Sequence, residues 1–169
     1  AGAPPQPPAE RLLYGVELGA PSPGRLRYQV YYGEFTDNHA VAQIDYTLET
    51  EGERYRLRTE GRAQGLTALL YSGVLSQSSS GRLGANGLKP ERFSEQRGKR
   101  AERWAAIDYD SGRASFSGGQ SVAWVPGMQD RLSMLLQLGL IARASPQALA
   151  AGQRLSVPEL SSRSIDTVT

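Results

Sequence analysis

Arg25-Leu26-Arg27-Tyr28-Gln29-Val30-Tyr31-Tyr32, Ala40-Val41-Ala42-Gln43-Ile44-Asp45-Tyr46-Thr47-Leu48 and Arg54-Tyr55-Arg56-Leu57-Arg58-Thr59-Glu60 are three stretches whose character changes at every second residue. Side chains of a strand point alternately to its two faces, so a period of two places Leu26, Tyr28, Val30 and Tyr32 on one side and Arg25, Arg27 and Gln29 on the other. Ala40, Ala42, Ile44, Tyr46 and Leu48 repeat the pattern, as do Tyr55, Leu57 and Thr59. Between them Thr36-Asp37-Asn38-His39 and Glu51-Gly52-Glu53 carry turn chemistry. Strands with one apolar face, joined by short polar turns, predict an antiparallel meander.

Downstream, Gly65 breaks the pattern and Leu66 to Tyr71 reads as a short helical or irregular crossover. Val74 to Ser80 is a serine-rich strand, and Gly81, Gly84 and Gly87 read as the turn beyond it. Phe93 to Arg97, Arg103 to Tyr109, Arg113 to Ser117 and Ser121 to Val125 follow as strands, separated by Gly98-Lys99-Arg100, Asp110-Ser111-Gly112 and Gly118-Gly119. About eight strands are enough for a strongly curved antiparallel sheet or partial β-barrel, so the fold class is mainly β.

Past Pro126-Gly127 the period changes. Asp130 can cap a helix over about 131–143. Leu132, Leu135, Leu136, Gly139, Leu140 and Ile141 form its apolar face, widened by Met134 and Leu138. A helix apolar over so much of its circumference is normally buried, and the expected site is the concave face made by Leu26, Tyr28, Ile44, Tyr46 and Leu57. Pro146 suits the first turn of a second short helix ending at Gly152, and Leu155 to Thr169 are polar and weakly patterned.

Upstream, Ala1-Gly2-Ala3-Pro4-Pro5-Gln6-Pro7-Pro8 reads as an extended polyproline tether. Residues 1–24 are therefore taken as a tether and lead-in, and 25–169 as a single β-rich domain. Two origins suit the tether equally: a signal or anchor removed ahead of it, or a boundary within an interdomain linker. Hydrophobic residues at 39% and charged residues at 21% are ordinary for a globular domain. A net charge of +2 gives no basis for a nucleic-acid partner. With no cysteine, neither a disulfide nor a thiolate metal site can form. The longest apolar stretch, Leu132 to Ala142, falls short of the roughly 18 residues a spanning helix needs.

A family resemblance rests on Gly81-Arg82-Leu83, Asn86-Gly87-Leu88-Lys89-Pro90-Glu91-Arg92-Phe93, Arg97-Gly98, and Gly127-Met128-Gln129-Asp130-Arg131-Leu132-Ser133 with Gln137-Leu138. Together with Tyr55 to Gly61 and Gly65-Leu66, these resemble, in order and spacing, the bacterial family called domain of unknown function 3108. The resemblance covers roughly Arg25 to Gly152. It implies an exported protein of proteobacterial type behind a signal or anchor and a proline-rich linker, and so a periplasmic or envelope-anchored location. It brings no established activity, cofactor or catalytic residue. Members of this family usually continue into several more strands, so the domain is expected to be incomplete at its C-terminus.

Few residues offer chemistry. His39 is the single histidine and sits in a polar turn, where turn chemistry explains its neighbours. One histidine and scattered carboxylates give no metal-ligand spacing, and no cofactor is expected. Gln129 and Asp130, with Arg92 and Arg97, are the candidate ligand-binding residues, placed at the mouth of the apolar cavity; for Asp130 the helix cap is the simpler role. Residues 82–103 hold seven basic side chains against three glutamates, a surplus suited to anionic headgroups, lipopolysaccharide phosphates or acidic glycans as well as to a solvated face.

Three functional classes follow. The first is a non-enzymatic envelope protein holding an apolar or amphipathic ligand, with lipid, lipopolysaccharide or another envelope component as the partner. The second is a structural or assembly adaptor working through exposed sheet edges, where an unpaired edge also invites a homodimer. The third, an envelope hydrolase, would require a carboxylate pair assembled by the fold. Whether the chain's own helix fills the concave face separates the first two.

Overall fold

The computed structural model describes residues 18–32, 40–70, 73–150 and 155–168; the polyproline tether and His39 lie outside them. Eight strands follow one another as a meander: β1 Gly24–Tyr31, β2 Ala40–Glu51, β3 Arg54–Ala63, β4 Val74–Gly84, β5 Gly87–Arg97, β6 Arg103–Asp108, β7 Arg113–Phe116 and β8 Ser121–Ala123. Each pairs antiparallel with the next, in the order β1 to β8. Helix α1, Thr67–Leu70, bridges β3 and β4. After β8 come β9 Gln129–Asp130, helix α2 Arg131–Ala144, a 3₁₀ turn at Pro146–Leu149, and strands β10 Val157–Leu160 and β11 Ile165–Val168. These last strands form a second small sheet, in which β10 lies between β9 and β11.

The core has two halves on one face of the large sheet. Leu132, Leu140 and Ile141 of α2 pack with Leu48, Tyr55, Leu57, Leu88 and Phe93 from β2, β3 and β5. Beside them Met128 and Leu160 cover Ala105, Ile107, Ala114 and Phe116 from β6 and β7. The helix thus roofs one half and the small sheet the other. Full burial of a side chain such as Leu57 is worth about 2 kcal/mol.

The meander and the helix stand where the alternation and Asp130 put them, with three differences. Among the described residues the sheet stays open, with β1 and β8 as its two edges, and is neither closed nor strongly curled. The helix lies over β3 to β5 and leaves Leu26 and Tyr28 of β1 half exposed. It is also turned so that Leu135 is 61% exposed, and Gly139 is likewise exposed, while the polar Ser133 and Gln137 are buried. A helix apolar nearly all round gives no periodic signal for which face goes inward.

Gly81, Gly84 and Gly87 do not make a turn together. β4 runs through Gly81 to Gly84, and the turn is only Ala85-Asn86. Gly81 sits at a register shift where a Cβ would overlap the backbone of Lys89 and Pro90, so its glycine serves close strand approach. Among the weakly patterned last residues, Val157–Leu160 and Ile165–Val168 are strands.

Candidate functional site

β5 pairs with β6 only from Arg92 to Glu95. Nearer the Ala85-Asn86 turn, β5 has no ladder partner on that side among the described residues, and its backbone groups must be satisfied otherwise. Side chains do this. The Leu88 N–H donates to Gln137 Oε1 at 2.9 Å, the Leu88 carbonyl accepts from Gln129 Nε2 at 2.8 Å, and the Pro90 carbonyl accepts from the Tyr109 hydroxyl at 2.5 Å. Gln137 Nε2 also donates to the Asn86 carbonyl at 2.8 Å, clamping the turn. Gly87 lies under this clamp with φ +97°, and a Cβ there would overlap the Gln137 amide.

The parting of the two strands opens a cavity of about 560 Å³. One wall is the Gly84 to Lys89 hairpin, another the segment Trp124 to Gln129, and the rest comes from Tyr109, Gln137, Ser156, Pro158 and Thr167. Tyr109 and Trp124 meet edge to face at 5.3 Å between centroids. Lys89 Nζ stands 4.1 Å over the Tyr109 ring, a cation–π contact at the rim. Burial, with Glu91 nearby, holds the Tyr109 phenol well above its ordinary pKa, so it stays a donor. Among the described residues, Gln129 Oε1 is the buried side-chain oxygen or nitrogen left without a hydrogen-bond partner, and Gln129 lines the cavity. Mostly apolar walls with a few polar groups are the composition of a small-molecule site.

Asp130, next in sequence, faces the other way. It is 0% exposed and caps α2: its Oδ1 accepts from the Leu132 and Ser133 N–H groups, each at 2.9 Å, and the Ser133 hydroxyl accepts from the Asp130 N–H at 2.9 Å. Its Oδ2 accepts from the Ser79 hydroxyl at 2.5 Å, and Ser79 lies 3.1 Å from the Tyr55 hydroxyl. Burial pushes the Asp130 carboxyl up to about 6, outweighing the hydrogen bonds from Ser79, Ser133 and Leu132 that favour the charge. Burial and the nearby carboxylate hold the Tyr55 phenol well above its ordinary value. None of Tyr55, Ser79 and Asp130 lines the cavity.

The four candidate residues are not brought together. Gln129 is in the cavity wall and Asp130 is under the helix. Arg92 stacks on Trp104 at 4.9 Å and lies 3.9 Å from Glu102. Arg97 ends β5 at its far end, in a separate cleft with Arg100, Arg103 and Arg163. Sequence reasoning missed Tyr109, Trp124, Lys89 and Gln137. A signal existed for Gln137 alone: with Ser133 it breaks an otherwise apolar helix at a spacing of four, a polar stripe on the face begun by Asp130.

Among the described residues no three of His, Cys, Asp and Glu gather as metal ligands, and no helix is long and apolar enough to cross a membrane.

An open antiparallel meander roofed on one face by a helix and a small second sheet, with a cavity where two strands part, defines a mainly β protein with a one-sided core. The chain belongs to the family described as Protein of unknown function (DUF3108), whose match spans residues 27–169. No curated protein matches it, and no solved structure does.

Proposed function

We propose that the protein is a non-enzymatic component of the cell envelope that takes an apolar or amphipathic small molecule into the cavity between β5 and the Trp124 to Gln129 segment. One observation carries this reading: a cavity of about 560 Å³ with mostly apolar walls that holds a buried, unpartnered acceptor, Gln129 Oε1. A buried polar atom without a partner costs on the order of 1–3 kcal/mol, so a guest bringing an O–H or N–H donor gains where a purely apolar one does not. The space is not beneath the helix, whose apolar side chains fill the core there, but beside it, where Gln137 forms part of the wall.

Envelope location rests on the exported character that the family resemblance implies. The test is native mass spectrometry of gently purified protein, followed by solvent extraction. A co-purifying amphipathic molecule, displaced when Thr167→Trp narrows the cavity, is the expected result. No adduct, and no thermal stabilisation by fatty acids, phospholipids or lipopolysaccharide, would contradict the reading.

Two observations favour the adaptor instead: helix α2 fills the core face it covers, and Leu26, Tyr28 and Val30 are 38–54% exposed on β1, a strand with a single ladder partner among the described residues. Sedimentation distinguishes the two. A dimer abolished by Tyr28→Lys would place function at this edge.

A further inference from the structure

The end of the sheet opposite the cavity combines two features that the ligand-binding reading leaves unused. Strand directions alternate along the meander, so Tyr32 after β1, the α1 crossover after β3 and the β5–β6 hairpin share one end. Short contacts tie them together: Gln64 N–H donates to the Val41 carbonyl at 2.9 Å and Gly98 N–H to the Val74 carbonyl at 2.8 Å. Leu66, Leu69 and Leu70 stand 79–82% exposed here, with Tyr32 at 87%, and no residue of α1 is buried.

At the same end of the sheet lies a basic cleft of about 290 Å³, bordered by Arg97, Arg100, Arg103 and Arg163, with Glu95 as the acidic side chain in its wall. None of the four has a carboxylate partner within salt-bridge distance among the described residues. The nearby acids leave a positive surplus: Glu95, in the cleft wall, accepts from the Ser162 hydroxyl at 2.5 Å and offsets one charge of the four, and Glu102 faces Arg92. Arg163 reaches the cleft from the turn between β10 and β11, so the fold itself gathers like charges from distant parts of the chain.

We propose that this end of the sheet docks on an anionic lipid surface, with the three leucines entering the interface and the four arginines meeting headgroup phosphates. Exposed leucines and unpaired arginines at one end of the sheet match a bilayer surface in both layers: hydrocarbon below, negative charge above. Arginine side chains lay their stems along apolar surface while keeping the charge in the headgroup layer. Each basic residue near such a surface strengthens binding by about fivefold.

The test uses the whole chain with phosphatidylcholine vesicles, with and without phosphatidylglycerol, and with inorganic phosphate as a free-anion control. The protein is expected to float with the phosphatidylglycerol vesicles alone and to come off as salt rises. The Arg97→Gln, Arg100→Gln, Arg103→Gln triple variant is expected to bind on the order of 100-fold more weakly. Leu69→Ser with Leu70→Ser is expected to bind at least about tenfold more weakly. All these side chains are exposed, so circular dichroism should show both variants folded. Equal binding to both vesicle types, full binding by the leucine variant, or stabilisation by phosphate without vesicle binding would each overturn the proposal.

Discussion

The two residues of β9 sit side by side in opposite surroundings. Asp130 is sealed under the helix, with its carboxylate oxygens bonded to two backbone N–H groups and a serine hydroxyl. Gln129 has one end of its amide bonded to the Leu88 carbonyl and the other end unpartnered in the wall of a cavity. Two residues so close in chain have diverged because α2 begins between the two halves of the core, where the helix roof stops and the small sheet takes over. A fully satisfied polar group fixes a structure; a half-satisfied one beside empty space marks where a guest can complete it.

Substitution at the two positions should separate these roles most widely. Asp130→Ala orphans two helix N–H groups where water cannot reach and leaves the Ser79 hydroxyl with Tyr55 alone, and should cost about 3 kcal/mol in chemical denaturation. Gln129→Ala leaves only the Leu88 carbonyl, next to the cavity, and should cost about 1 kcal/mol. Equal losses would break the comparison.

Gly87→Ala sharpens it from the other wall. The left-handed backbone and the overlap with Gln137 should together cost about 2 kcal/mol, with the loss partly relieved in a Gln137→Ala background.

The pH dependence follows from Asp130. Its carboxyl is raised from 3.8 to about 6 on folding, so the folded state holds the proton more tightly. That contribution to stability is fully present below the unfolded pKa of 3.8 and is lost as pH rises through about 6. The protein should therefore gain about 1.4 kcal/mol from this group between pH 7.5 and pH 5, a slope that Asp130→Asn should flatten. Urea titrations of both proteins at the two pH values measure it.

The smallest effect is expected at Leu135. Leu135→Asp on the exposed side of α2 should change stability by less than about 0.5 kcal/mol; a loss of several kcal/mol would mean that the helix is turned the other way.

Leu135 also shows where the sequence stops being legible. Period two from Arg25 to Glu60 identified β1 to β3, although only β3 alternates buried with exposed residues in the fold and β1 is exposed on both faces. Asp130 was readable as a cap, since a short acidic residue before an apolar run meets the free N–H groups of a helix. Gly81 misled, because a glycine after a strand usually marks the turn; here it permits close strand approach. The cavity had no local signature at all. It exists because two strands diverge and residues from Gly84 to Thr167 surround the gap.

The most direct test of the cavity is nuclear magnetic resonance of the Gln129 side-chain amide and the Trp124 indole N–H during titration with an amphipathic molecule carrying a hydroxyl or amide donor. Shifts concentrated at Gln129, Trp124 and Tyr109, with Asp130 and Leu57 unmoved, are the predicted result. Saturable binding that leaves Gln129 and Trp124 unchanged and shifts Leu26 to Val30 instead would contradict it.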